Sequence, residues 1–172
     1  MRRPALLALL LCSTAAAAAP AGATHATAFC KGSALTGRFT VVVGSAGAGN
    51  IVYALVLKNR SGRTCAVSGL PRLTLLGKQG KALPTHVVAD APNQLTAVLV
   101  RLAPGRSARA TARFSPDVPG KGEPTRGNRC EPTAYHAAVH APGRGTAIVA
   151  VSPPTPVCEH GQLQFRAYQL VH

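Results

Sequence analysis

Acidic and aromatic side chains are scarce in this sequence of 172 residues, which has five Asp and Glu, three Tyr, four Phe and no Trp. Glycoside hydrolysis and related acid–base chemistry need two carboxylates held close together. Single-stranded nucleic acid needs aromatic platforms for stacking. The acids are scattered over predicted loops and strand ends: Asp90, Asp117, Glu123, Glu131 and Glu159. We therefore expect no enzyme, no catalytic residue and no specific nucleic-acid partner.

Other absences narrow the function further. Met1 is the single methionine, which argues against a copper site built on thioether ligands. No two cysteines are spaced closely enough for a zinc site, and no Gly-x-Ser-x-Gly motif suggests a serine hydrolase. We therefore expect no cofactor and no metal ligand. No apolar run reaches the roughly 18 residues that a membrane-spanning helix needs.

The N-terminus has the pattern of a signal peptide. Two arginines follow Met1, and the apolar run Ala5–Cys12 and the small-residue tract Ser13–Ala19 come next. Small residues favour cleavage after Ala23, with cleavage after Ala28 as the second choice. This predicts a signal peptide at 1–23 and a mature chain without a transmembrane segment, secreted or associated with the cell envelope.

Cys12 leaves a lipoprotein as the alternative, in which this cysteine would be acylated and become the new N-terminus. Leu11 precedes it, where a lipobox needs Gly, Ala or Ser. We therefore interpret Cys12 as an apolar residue of the signal peptide.

Four cysteines remain after the signal peptide: Cys30, Cys65, Cys130 and Cys158. An even number in an oxidising compartment favours two disulfides, and four cysteines allow three pairings. We favour Cys30 with Cys65 and Cys130 with Cys158, because each pair joins neighbouring segments of the sequence. Loops of about 35 and about 28 residues would each stabilise the fold by roughly 3 to 4 kcal/mol.

The chain is strongly basic, with 19 Lys and Arg and a formal net charge of +14, or +12 once Arg2 and Arg3 are removed. Outside the cell, such a charge favours an anionic envelope polymer or an extracellular protein as partner. Four arginines on or beside two successive predicted strands form a candidate polyanion-binding stripe: Arg101, Arg106, Arg109 and Arg113. A solvated outer sheet face, with arginine as the default surface cation of a G+C-rich genome, is the alternative interpretation.

Apolar residues recur at period two, and Gly, Pro, Asn and Ser interrupt them about every ten residues, which is typical of an all-β sandwich. Residues 108–114 alternate Ala and Phe with Arg and Thr, as expected of a strand with one buried face. Tight turns are predicted at residues 59–62 and 103–106, and the first of them is predicted to be a hairpin loop. Ten strands are predicted: 38–43, 51–59, 64–68, 72–76, 81–88, 95–102, 107–114, 134–140, 146–151 and 163–171. Residues 115–128 are predicted to be a long excursion between strands.

The mature chain is predicted to be a short linker at 24–29 and one domain at 30–172.

Several motifs resemble those of a family of small exported proteins and lipoproteins of high-G+C Gram-positive bacteria that carry a domain of unknown function. They are Cys30, the loop GSAG at 44–47 with Asn50, the segment NRSGRTCAVSGLP at 59–71, LTLL at 73–76 with Gly80-Lys81, LAPG at 102–105, Cys130 and Cys158. Leu70 stands where the family usually has an aromatic residue. The resemblance implies an immunoglobulin-like antiparallel β-sandwich with two disulfides, and it implies no activity.

The resulting hypothesis is an exported, non-enzymatic interaction module. The alternative is an extracytoplasmic protein that binds a small ligand or a metal, which would require His86, His136 or His140 to converge on a pocket. On the predicted strand, His136 and His140 share a face but lie about 13 Å apart.

Overall fold

The structure is a computed structural model that describes residues 26–94, 98–126, 129–130 and 132–171. The predicted signal peptide at 1–23 lies outside the described residues, as do part of the predicted linker, Glu131 and His172. The described chain contains strands and three single turns of 3-10 helix, at Gly32–Ala34, Pro92–Gln94 and Glu159–Gly161. None of its helices has the length and apolar composition needed to cross a membrane.

Thirteen strands occur in the described part of the chain. They are β1 (Leu35–Val41), β2 (Ile51–Asn59), β3 (Cys65–Ser68), β4 (Leu73–Leu76), β5 (His86–Ala89), β6 (Leu99–Leu102), β7 (Ser107–Phe114), β8 (Thr125–Arg126), β9 (Arg129–Cys130), β10 (Thr133–His140), β11 (Thr146–Pro156), β12 (Gln162–Phe165) and β13 (Gln169–Leu170). The predicted all-β fold with two disulfides is confirmed.

Most strands belong to one large mixed sheet in the order β4-β10-β11-β1-β2-β7-β12-β5, with β13 also paired to β7. Strands β3 and β6 form a separate two-stranded sheet, and β8 pairs with β9. Two pairs, β1 with β11 and β5 with β12, are parallel, whereas the others are antiparallel. The resemblance implied an antiparallel sandwich, and these two parallel pairs correct it. Period-two alternation in the sequence does not distinguish parallel from antiparallel strands.

The large sheet curls until its two edge strands approach each other. Leu83 donates its backbone N–H to Leu75 of β4, and His86, three residues later, is already paired with Gln162 of β12. Three extended residues span at most about 10 Å. The opposite edges of the large sheet are therefore close, and the sheet wraps around one core.

Alternating side chains fill that core. On β7 the even-numbered residues 108–114 are buried, as predicted, and the large sheet and the β3–β6 sheet contribute to one apolar cluster. At its centre, the ring of Phe39 lies 5.1 Å from that of Tyr53 and 6.0 Å from that of Phe165. The small alanines of β7 leave room for these rings, so that large and small residues interdigitate at interior density.

Several predicted strands are shorter or divided in the structure. Residues 81–88 were predicted to be one strand, but ladder pairing begins at His86, since Pro84 has no N–H to donate. The predicted strand 163–171 is divided into β12 and β13, and Arg166 between them bonds the backbone of Thr111. Of the predicted strand 95–102, residues 95–97 lie outside the described chain.

The turn at 59–62 is not a hairpin loop, which corrects the sequence prediction. Strand β2 pairs with β1 and β7, whereas β3 pairs with β6. The tight turn at 103–106 likewise leads from β6 in the small sheet to β7 in the large one. Both turns therefore cross between the layers of the sandwich.

A buried amide holds these two turns together. Asn59, with 0% of its surface exposed, donates from Nδ2 to the carbonyls of Arg63 at 2.8 Å and Leu102 at 2.9 Å. Its Oδ1 accepts from the backbone N–H and the hydroxyl of Ser61. Every hydrogen-bonding group of the amide is satisfied, as burial requires.

Both disulfides have the pairing that the sequence favoured. Cys30 is bonded to Cys65, and Cys130 to Cys158. Backbone pairing in this region begins at Ala28, which accepts a hydrogen bond from Ala66 of β3. The first disulfide thus fixes the N-terminal segment to the small sheet.

Asn59→Ala should lower the free energy of unfolding by about 3 kcal/mol, because it removes the side-chain donor of the buried Leu102 carbonyl and the acceptor of the Ser61 N–H and leaves a cavity at a fully buried position. Urea denaturation monitored by circular dichroism measures the change. Asn50→Ala is the matched control, since that amide makes one exposed bond of 3.4 Å to Ala48. Equal destabilisation by the two substitutions would contradict the role assigned to Asn59.

Candidate functional site

The outer face of the large sheet carries several exposed cations. Because β7 buries its even-numbered residues, Arg109 and Arg113 point outward and are exposed. They are four residues apart on an extended strand, so their Cα atoms are separated by about 13 Å. Two of the four predicted polyanion-binding arginines thus share one face.

Neighbouring strands add two more cations. The register aligns Arg38 of β1, Val56 of β2 and Arg109 of β7 in one row. Lys58, two residues beyond Val56, projects from the same face and is exposed. Two strand spacings separate Arg38 from Arg109 by about 10 Å. We call Arg38, Lys58, Arg109 and Arg113 the basic face.

A hollow of about 300 Å³ lies beside the basic face, against Arg109 and Arg113. Arg166, from the interruption between β12 and β13, also lines it, and its Nε donates to Oδ2 of Asp90 at 2.8 Å. Asp90 is held in turn by its own backbone bond to Phe165. Asp90 is the one carboxylate among the described residues that line the hollow, and its ion pair is with Arg166 rather than with Arg109 or Arg113.

Arginine determines what this face can do chemically. A guanidinium stays protonated in proteins and presents five N–H donors but no acceptor. It forms strong, often bidentate, hydrogen bonds with phosphates and carboxylates. The basic face is therefore suited to binding anions and unsuited to transferring protons.

The other two predicted stripe residues lie elsewhere. Arg101 is on β6 in the small sheet, and Arg106 is in the turn between the layers, where its guanidinium donates to the carbonyl of Val171 at 3.2 Å. The turn that crosses between layers separates Arg101 from Arg109 and Arg113, and Arg106 is part of that turn. Sequence proximity suggested one stripe, whereas the structure places Arg109 and Arg113 on the large sheet, Arg101 on the small sheet and Arg106 in the turn between them.

Sequence reasoning did not select Arg38, Lys58, Arg166 or Asp90. The alternation of exposed positions on β1 and β2 could have identified Arg38 and Lys58 as outward residues. Their proximity to Arg109 depends on which strands pair. No local signal indicated that Asp90 would meet Arg166, which is 76 residues away.

The histidines of the alternative hypothesis do not form a ligand cluster in the described chain. His136 and His140 lie on β10, and His86 lies on β5. Nε2 of His140 lies 3.0 Å from the hydroxyl of Thr74. Within the described residues, one group of three potential metal ligands has its donor atoms close together, namely Glu123, Cys130 and Cys158. Its two sulfurs are bonded to each other, so they do not offer thiolates.

Glu123 serves the fold at this point. Its carboxylate accepts backbone N–H bonds from Gly120, His160 and Glu159, the last at 2.8 Å. Burial of this carboxylate raises its pKa. The three backbone donors and the nearby His160 ring together lower the pKa by more than burial raises it, so the net pKa lies below the ordinary 4.5. The carboxylate joins the loop after β7 to the 3-10 turn that follows Cys158.

The lowered pKa of Glu123 predicts acid sensitivity. In the unfolded chain this carboxylate is protonated as the pH falls through about 4.5, whereas in the folded protein it stays ionised to lower pH. The stability that the ionised carboxylate contributes is therefore fully present above about pH 4.5 and is lost as the pH falls from there through the folded pKa. Glu123→Gln should lower the free energy of unfolding by about 2 kcal/mol at pH 7, with a difference that shrinks toward pH 2. Denaturant unfolding at several pH values measures this, and Asp117→Asn, an exposed acid in the same loop, is the control. A difference independent of pH would contradict the assignment.

Comparison with known proteins gives one family. The family described as domain of unknown function (DUF4232) matches residues 30–169. No curated protein and no solved structure matches the chain. The match covers nearly the whole domain from the first disulfide to β13, and the chain belongs to the DUF4232 family of domains of unknown function.

Proposed function

We propose that this protein is an exported, non-enzymatic β-sandwich module that binds an anionic polymer of the cell envelope through its basic face. The observation that carries the proposal is the register that aligns Arg38 and Arg109 and places Lys58 and Arg113 beside them on one outward face. Exposed cations that share a face add their potentials, whereas cations dispersed around a molecule do not.

The placement of the acids supports the same proposal. Glu123 is occupied by backbone donors, and Asp90 is engaged by Arg166. In the described chain, neither acid is free to neutralise the basic face. A polymer with repeated phosphates or carboxylates could therefore contact several cations at once, which raises its affinity by multivalency.

The two disulfides support an extracytoplasmic location, because such bonds persist in oxidising compartments. The N-terminal signal pattern agrees with export, and cleavage at residue 23 is part of the proposal. A location in the envelope would bring a strongly basic domain close to anionic wall polymers and lipid headgroups.

The test is binding of the mature, disulfide-bonded protein to polyglutamate and to purified wall and membrane fractions of the producing cell, across a salt series. The double substitution Arg109→Glu/Arg113→Glu should weaken binding at least about ten-fold, because two attractive contacts become repulsive. Binding of the unmodified protein should weaken as salt screens the charges.

Lys78→Glu/Lys81→Glu is the matched control, since it makes the same change in net charge on the exposed turn after β4. Equal weakening by the two double variants would mean that net charge alone drives binding. That outcome, or no binding at low salt, would overturn the basic face as a site.

A further inference from the structure

An apolar groove lies between β6 of the small sheet and the β12–β13 segment of the large sheet. It has a volume of about 740 Å³ and runs along β6 and the segment 165–170. Its floor includes Val100, Phe165 and Tyr168, all at least 94% buried. Large apolar side chains at its rim are exposed, with Leu99 at 44% and Leu170 at 37%.

These exposed residues are concentrated in one place. Val98 and Val171, at 45% and 38% exposed, extend the same surface at the ends of the two strands. Half of the large apolar residues that are exposed in the described chain therefore lie in or beside this groove. Contiguous exposed apolar surface of this kind marks binding sites in soluble proteins.

One backbone edge of β6 has no ladder partner among the described residues, and residues of this strand line the groove. Its four residues pair with β3, from Ser68 opposite Leu99 to Cys65 opposite Leu102. No second ladder partner of β6 occurs among the described residues. An unpaired edge offers N–H and C=O groups to another extended chain, and it would leave them unsatisfied against a lipid tail.

Charge selects between the possible peptide partners. No acidic residue is among the groove-lining residues that the structure describes, whereas Arg101 projects from β6 at the rim. A second copy added at the same edge would bring one Arg101 toward the other, and two chains of strong positive charge repel each other. An acidic partner would instead be attracted.

We propose that this groove binds an extended peptide segment of an acidic partner protein, which adds as a strand to the open edge of β6. Because side chains alternate along a strand, every second residue of the peptide enters the groove and is apolar. Acidic residues lie between them and contact Arg101. No residue of the basic face lines the groove, although Arg109 is paired with Gln169 at its edge, and the proposal does not depend on polymer binding.

The experiment is selection of short linear peptides from a random display library on the disulfide-bonded protein. Enriched peptides are then synthesised and their affinities measured for the unmodified protein and four variants. Leu99→Glu and Arg101→Glu alter the groove, while Ile148→Glu and Lys78→Glu are matched controls. Ile148 is 59% exposed on β11, three strands away from β7. Thermal unfolding verifies that each variant is folded, and Leu170→Glu replaces Leu99→Glu if that variant is not.

We expect enriched peptides in which apolar residues alternate with polar ones and include Asp or Glu. Both groove variants should weaken binding at least about ten-fold, and both controls less than about two-fold. Two versions of each peptide are N-methylated, one at the odd-numbered nitrogens and one at the even-numbered nitrogens. Only one of the two phases should abolish binding, because strand addition uses every second N–H. Within Leu99–Leu102, the alternate amides that do not bond β3 should become more protected from hydrogen exchange.

Other outcomes would overturn the proposal. They are a library without enrichment, peptides that bind the groove variants and the controls equally, and affinity unchanged by N-methylation in either phase. Two further results would assign the groove to another occupant: oleate that displaces the selected peptides and protects Leu99, or a concentration-dependent dimer that Leu99→Glu dissociates.

Discussion

The buried amide of Asn59 is the interaction on which the layered arrangement depends. The chain passes from the large sheet to the small one after β2 and returns before β7, and one side chain bonds the backbone on both passages. Backbone bonds repeat the connection, since Asn59 donates to Arg106 and accepts from Gly105. Because the Asn59 side chain is buried from water, its donors and acceptor need protein partners in place of water, and this arrangement of the two turns supplies them. It thereby fixes how the small sheet is placed over the core.

The core inside this frame is closed by a few large rings among many small residues. The alanines of β7 lie beside the rings of β1, β2 and β12 on the inner face of the same sheet, and all of them belong to one buried cluster. Five of the seven aromatic residues are buried, namely Phe39, Tyr53, Phe114, Phe165 and Tyr168, and burial of an aromatic side chain removes a large apolar area from water. The outer faces of the same strands are left to polar and cationic residues, and the basic face is a direct consequence of this alternation.

The short interruption between β12 and β13 separates the two proposed binding surfaces. There Arg166 extends to the outer hollow and bonds Asp90, whereas Tyr168 lies in the interior and forms part of the groove floor. Burial strongly raises the pKa of the Tyr168 hydroxyl, which therefore stays neutral and leaves the groove floor uncharged. One side of this segment thus presents cations, and the other presents apolar surface and an open strand edge. A module with both could attach to the envelope through one face and hold a partner through the other.

The sequence by itself determined the fold class, the alternation that turns Arg109 and Arg113 outward and the two disulfides, because each depends on local period or on separation along the chain. It also located both turns at 59–62 and 103–106. Only the tertiary structure decided that these turns cross between sheets, that β1 and β11 run parallel and that Arg38 stands beside Arg109 while Arg101 does not. Strand pairing is chosen by the packing of the whole core, and residues that are far apart in the chain carry no local mark of their future neighbours. The basic face and the groove beside β6 are products of that choice.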